Sequence, residues 1–171
     1  VQIYGMTETG NCAISLPARD HLNPQRLAAA GKPFPGVSVV ILNPQHEVLP
    51  VGQIGEICIQ SPANMVGYWK LPEATSSTLI DGWVHTGDAG YLDEEGYIYI
   101  CDRIKDMICY ASENVYPAEV ENILHQHPAI AEVAVIGVPD SQWGETVKAL
   151  VVLKSDMEVT AMDLIQFGRG K

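Results

Sequence analysis

Asp102-Arg103-Ile104-Lys105-Asp106-Met107-Ile108 divides the 171-residue chain into two parts of different character. Upstream of it, Gly and Pro are frequent and apolar runs are short. Residues 37–42 form a β-branched run between Pro35-Gly36 and Asn43-Pro44, and residues 53–60 alternate around Ile54, Ile57 and Ile59. Residues 97–101 follow the acidic turn Asp93-Glu94-Glu95-Gly96. Strand-like runs separated by turn residues at this frequency predict a small barrel or sandwich, and no alternation of strands with long helices occurs before residue 110. Downstream, residues 117–127 place Val120, Ile123 and Leu124 on one helical face, with Pro117 suited to the first turn and Pro128 as a stop. Residues 132–138 and 147–153 read as two buried strands, and 160–167 as a second helix with Thr160 as N-cap and Asp163 at N3. The expected fold class is α+β. A small β-barrel-like subdomain over 1–103 precedes, over 104–171, part of a small domain of antiparallel sheet and helices.

Composition narrows the function classes. Lys and Arg number 10 against 21 Asp and Glu, a net charge of −11, while 47% of residues are hydrophobic. That balance fits a packed core and speaks against a nucleic-acid or anionic-membrane surface, both of which need clustered cations. The longest clean apolar runs, 133–138 and 149–153, fall far short of the ~20 residues that span a bilayer. Cys12, Cys58, Cys101 and Cys109 form no CxxC pair, so reduced thiols and a cytoplasmic location are expected. The chain starts at Val1 and stops soon after a short helical pattern, and it reads as a piece of a longer protein.

Three polar segments carry groups suited to chemistry. In Tyr4-Gly5-Met6-Thr7-Glu8-Thr9-Gly10, glycine admits close backbone approach, Thr offers a hydroxyl to a phosphate oxygen, and Glu is a hard oxygen ligand for Mg²⁺. The same run also suits an ordinary polar turn. In Trp83-Val84-His85-Thr86-Gly87-Asp88, an Asp after a tight Gly turn suits the hydroxyls of a ribose, or else satisfies its own backbone. Asp102–Ile108, continued by Ser112-Glu113-Asn114-Val115-Tyr116-Pro117-Ala118-Glu119-Val120-Glu121, alternates charge in apolar surroundings, as a blunted strand edge also does.

Taken together and in this order, these segments resemble the adenylate-forming superfamily of acyl-CoA synthetases, coumarate–CoA ligases, firefly luciferase and peptide-synthetase adenylation domains. Tyr4–Glu8 is similar to its YGxTE motif, Gly55-Glu56-Ile57 through Gly67-Tyr68-Trp69 to its GE…GYW segment, and Thr86-Gly87-Asp88 to its TGD. The run from Asp102 to Glu121 is similar to its DRxKDxI…ENVYPxEVE segment. The resemblance implies an enzyme that uses ATP and Mg²⁺ to activate a small-molecule carboxylic acid, most similarly a fatty acid, and passes the acyl group to coenzyme A. It further implies Tyr4 against adenine, Gly5 and Met6 near the adenylate, and Thr7 on the α-phosphate. Glu8 is implied as the metal ligand, Asp88 and Arg103 on the ribose hydroxyls, and Lys105 at a hinge. Tyr110, Ala111, Ser112, Glu113 and Asn114 are implied along the tunnel for the pantetheine arm. Two other readings remain open: an adenylation domain loading a carrier protein, and a non-catalytic nucleotide-binding module.

The family commonly has Gly-Gly where this chain has Ala111-Ser112. A Cβ there narrows the tunnel and is strained wherever the backbone needs a positive φ. The family's Gly/Ser/Thr-rich phosphate loop lies upstream of YGxTE, and its adenylation lysine downstream of the segment ending at Lys171. The 171 residues alone are therefore expected not to form an adenylate.

Overall fold

The structure, a computed structural model, describes residues 1–111 and 113–170. The strands among the described residues form three sheets, antiparallel wherever their register is defined, and the chain falls into two compact units, Val1–Cys101 and Asp102–Lys171. The fold class is α+β.

In the first unit, β1 (Gln2–Tyr4), β2 (Ile14–Leu16) and β3 (Lys32–Pro33) form one small sheet. A second comprises β4 (Ser38–Leu42), β5 (Gly55–Gln60), β6 (Leu79–Ile80), β7 (Trp83–Leu92) and β8 (Ile98–Arg103), whose last two residues already belong to the second unit, with helix α1 (Pro72–Thr78) between β5 and β6. A bridge between Gly31 and Ile98 joins the two, because Ala30 N–H donates to the Ile98 carbonyl and Ile98 N–H to that of Gly31, both at 2.8 Å. The joined sheet curls around Ala13, Ile14, Ala30, Ile41, Ile57, Ile59 and Ile98, all at most 2% exposed. Three consecutive β5 residues, Ile57, Cys58 and Ile59, are fully buried. The expected alternation along 53–60 is therefore not realised, since a central strand has protein on both faces.

Local chemistry sets the turns. Asn43 Oδ1 accepts the N–H groups of Gln45 and Glu47, closing the turn after β4. Asp93 Oδ1 does the same for Glu95 and Tyr97 in the acidic turn before β8. The Arg26 guanidinium meets the carboxylates of Asp93 and Glu95 and stacks 4.1 Å from the Tyr97 ring centroid, tying the loop before β3 to that turn.

In the second unit, β9 (Ile108–Tyr110) and β10 (Glu113–Val115) form a hairpin, followed by helix α2 (Pro117–His125), strands β11 (Ile130–Asp140) and β12 (Gly144–Leu153), and helix α3 (Ala161–Gly168). Sheet order is β10-β9-β12-β11. Thr160 caps α3: its Oγ1 accepts Asp163 N–H at 3.2 Å while Asp163 Oδ2 accepts Thr160 N–H at 3.1 Å, the reciprocal pair its spacing predicts. The expectation of two wholly buried strands needs correction. Val135 is buried, but Ile136, Leu150 and Val152 are exposed, because helices cover one face of this sheet only.

Candidate active site

The segment Tyr4–Glu8 leaves β1 and turns at once through a short 3₁₀ helix, Thr7–Thr9. Buried Thr9 makes that turn: its Oγ1 accepts Met6 N–H and donates to the Met6 carbonyl, at 3.1 and 3.0 Å. Gly5 is required there, since a Cβ would lie 2.6 Å from the Asn11 carbonyl oxygen. Thr7 is exposed and Glu8 half-buried.

Two phenols connect this turn to distant parts of the unit. Tyr4 donates to Asp88 Oδ2 at 2.6 Å, across 84 residues, so the first predicted segment and the Thr86-Gly87-Asp88 segment meet. Tyr68 donates to Glu8 Oε1 at 2.7 Å, and that bond to a carboxylate, with burial second, holds its phenol above the usual tyrosine pKa. Met65 N–H also donates to the Glu8 carbonyl at 2.8 Å, and Tyr68 N–H to Thr75 Oγ1 of α1 at 2.9 Å. Glu8 is thus held by one oxygen, and as a carboxylate it suits Mg²⁺, which takes one or two carboxylates together with substrate phosphates.

Asp88 sits at the end of an irregularity in the sheet. Along β5 and β7, Glu56 faces Ala89 and Cys58 faces His85, so Ile57 alone stands opposite Thr86, Gly87 and Asp88. Thr86, buried, bridges the gap by donating to the Ile57 carbonyl at 2.7 Å and accepting Asp88 N–H at 3.1 Å. Gly87 adopts φ +72°, a conformation glycine enters without strain.

Beside this bulge, Glu56, Cys58 and His85 bring potential metal-ligand atoms within 4.8 Å of one another. Those atoms are already engaged with protein. Glu56 Oε2 is 2.7 Å from His85 Nδ1, Glu56 Oε1 accepts Gly87 N–H at 3.0 Å, and Cys58 Sγ lies 3.4 Å from the same Nδ1. Burial, helped by the charge of Glu56, pushes the Cys58 thiol up to about 12, so it stays protonated at neutral pH. The cluster is a hydrogen-bonded support.

Arg103, Lys105, Tyr110, Ala111, Glu113 and Asn114 belong to the second unit, and Ser112 lies outside the described residues. Arg103 and Lys105 are exposed at the start of that unit, Lys105 within the single turn Ile104–Asp106. Asp102 anchors this turn: Oδ1 accepts Arg103 N–H and Oδ2 accepts Ala118 N–H in the first turn of α2, each at 2.8 Å. Tyr110 and Glu113 pair across the β9–β10 hairpin, and the Tyr110 ring packs 5.7 Å from that of Trp143. Ala111 occupies the left-handed region at φ +51°. Glu145 Oε2 accepts Cys109 N–H at 2.8 Å, holding the hairpin from β12.

Sequence reasoning passed over Thr9, Glu56, Tyr68, His85 and Asp102 as functional positions. One signal was available: Glu56 is a charge set directly against an Ile-Cys-Ile run, a position that calls for a partner.

The antiparallel α+β fold and the Tyr4–Asp88 junction accord with the two family matches found along the chain. Residues 1–69 match the AMP-binding enzyme family, and residues 119–171 match the AMP-binding enzyme C-terminal domain. The chain belongs to this family. It is 52% identical, over 97% of its own length, to the fatty acid–[acyl-carrier-protein] ligase ScoC of Streptomyces coeruleorubidus, covering 32% of that protein. It is 44% identical to the medium/long-chain-fatty-acid–CoA ligase FadD8 of Mycobacterium tuberculosis over 91% of this chain and 27% of the relative. Among solved structures, the o-succinylbenzoate CoA synthetase MenE of Bacillus subtilis, in complex with its acyl-adenylate intermediate, superposes with a TM-score of 0.87 at 38% identity, over 97% of this chain and 33% of that one. The chain therefore spans about a third of the length of the proteins it matches. Among the described residues, no helix is long and apolar enough to cross a membrane.

Proposed function

We propose that the chain carries part of a cytoplasmic, ATP-dependent acid–thiol ligase acting on a fatty acid, with residues 1–103 ending its large AMP-binding domain and 104–171 beginning its small lid domain. In this reaction a carboxylate oxygen attacks the α-phosphorus of ATP, the α–β phosphoanhydride bond breaks, and pyrophosphate leaves. The coenzyme A thiol then attacks the acyl carbonyl, loses its proton, and AMP departs. The observation that supports this reading best is the 2.6 Å bond between Tyr4 and Asp88, the two residues to which the family resemblance gives adenine and ribose roles.

Each residue then has a stated task. Tyr4, fixed through its hydroxyl, offers its ring face to the base. Gly5 and Met6 bring backbone to the adenylate, and Thr7 donates to an α-phosphate oxygen. Asp88 and Arg103 hold the ribose hydroxyls, and Glu8 holds Mg²⁺, whose charge offsets that developing on the phosphates. Lys105 marks the hinge of the lid, and residues 110–114 line the pantetheine path.

A second acceptor is favoured by one observation, the 52% identity to a ligase named for an acyl-carrier protein. Fatty-acid-dependent pyrophosphate release by the complete enzyme tests both. Release followed by acyl-CoA formation is the expected result. Release without a CoA thioester, but with acylation of a phosphopantetheinylated carrier, moves the acceptor to the carrier. No acid-dependent release overturns the ligase reading in favour of a non-catalytic nucleotide-binding module.

A further inference from the structure

The β5–β7 bulge leaves backbone groups of Thr86, Gly87 and Asp88 outside the regular ladder, since one residue of β5 faces three of β7. Buried polar groups outside a ladder need other partners. Thr86 Oγ1 serves the Ile57 carbonyl and Asp88 N–H. The Gly87 N–H goes to Glu56 Oε1, while Glu56 Oε2 is held by His85 Nδ1. Both carboxylate oxygens are thereby committed, and the side chains of Glu56 and His85 are only 22% and 9% exposed. Gly87, at φ +72°, is the residue about which the chain turns into Asp88.

We propose that Glu56, braced by His85, is the positioning residue that fixes the Gly87 peptide and so aims the Asp88 carboxylate, an inference that rests on Asp88 being a ribose ligand. On this account Glu56 makes no contact with the nucleotide. Its effect reaches the ligand only through the direction of one peptide. A residue acting in this way changes how well the ribose hydroxyls are recognised, whereas a residue that merely supports the sheet lowers activity on every nucleotide alike.

The experiment compares KM for ATP with KM for 3′-deoxy-ATP in the complete enzyme and its variants. The parent is expected to prefer ATP about tenfold, as for a hydrogen bond to a charged group. Glu56→Ala should bring that preference to within about twofold by raising the KM for ATP alone. Glu56→Gln should restore it, because the amide oxygen still accepts Gly87 N–H and the amide NH₂ donates to His85 in its other tautomer. Should Glu56→Ala fail to fold, Glu56→Asp, one methylene short of Gly87, is read in its place with the same expectation. If Asp88→Ala abolishes the preference and the Glu56 variants keep it, the positioning role is overturned while the ribose reading stands. If Asp88→Ala leaves the preference intact, the ribose reading falls and the positioning role falls with it.

Discussion

In the first unit the side chains beneath the motif segments are sealed: Ile14, Leu16, Ile57, Ile59, Val84 and Ile98 are 0% exposed. In the second unit the deepest apolar side chain is Ile108, at 1%, while Ile136, Leu150, Val152 and Ile165 keep 43%, 49%, 54% and 54% of their surface in solvent. A groove of about 740 Å³ runs between α2, α3 and β12, lined by Val120, Ile123, Val151, Leu164 and Ile165 among others. The motif residues follow the same division. Tyr4, Glu8 and Asp88 bond to residues far away in sequence, so their placement is over-determined by the tertiary fold. Lys105 and Ala111 sit in an exposed turn and a hairpin end, held from Asp102, Trp143 and Glu145 at their margins. The first unit buries the residues around its motif segments more completely than the second.

Thiol reactivity gives the largest expected contrast. Cys58 is fully buried with its thiol pushed up to about 12, and Cys109 is exposed. Burial and the raised pKa both keep the Cys58 thiolate scarce and inaccessible at pH 8, so Cys58 should react with a disulfide reagent at least about a hundredfold more slowly than exposed Cys109. Site-resolved mass spectrometry after timed labelling measures both at once. Equal rates would mean that β5 opens freely enough to expose Cys58, and the contrast between the two units would be broken.

Core truncation comes next in size. Ile59→Ala removes a wholly buried side chain from the curled sheet and should cost about 2–5 kcal/mol, whereas Ile165→Ala, more than half exposed on α3, should stay within about 0.5 kcal/mol. Urea unfolding of each variant, followed by circular dichroism, supplies the two values. A large loss at Ile165 would show that the groove is covered in solution.

The same contrast explains what was legible in the sequence. Antiparallel α+β organisation followed from short runs between turn residues, and α2 and α3 from Pro117, Pro128 and the Thr160–Asp163 spacing, all of which act locally. Residues 83–92 gave no such warning. Gly and Asp are depleted in strands, so the segment read as a polar motif, although it forms β7, which pairs with β5, β6 and β8. The residue types of the candidate site were visible for the same local reason. Their partners were not, because a bond across 84 residues, or one across 31 at a bulge, depends on register, which no nearby residue sets.

Ala111 gives the smallest effect and the sharpest test of the open region. It follows β9 and has φ +51°, in the left-handed region that Gly and Asn enter most readily. A Cβ in the left-handed region costs roughly 1 kcal/mol, and Ala111 N–H is already spent on the Trp143 carbonyl at 3.2 Å, so the side chain adds nothing to offset that strain. Ala111→Gly should therefore stabilise the chain by about 0.5 kcal/mol, the relief of strain outweighing the greater entropy of glycine in the unfolded state. Paired urea unfolding curves with unchanged slope measure it. A loss of about 1 kcal/mol, the ordinary penalty for glycine at an unstrained position, would show that the hairpin in solution keeps Ala111 out of the left-handed region. The contrast between the two units would then narrow, because the second would hold no strained turn at Ala111.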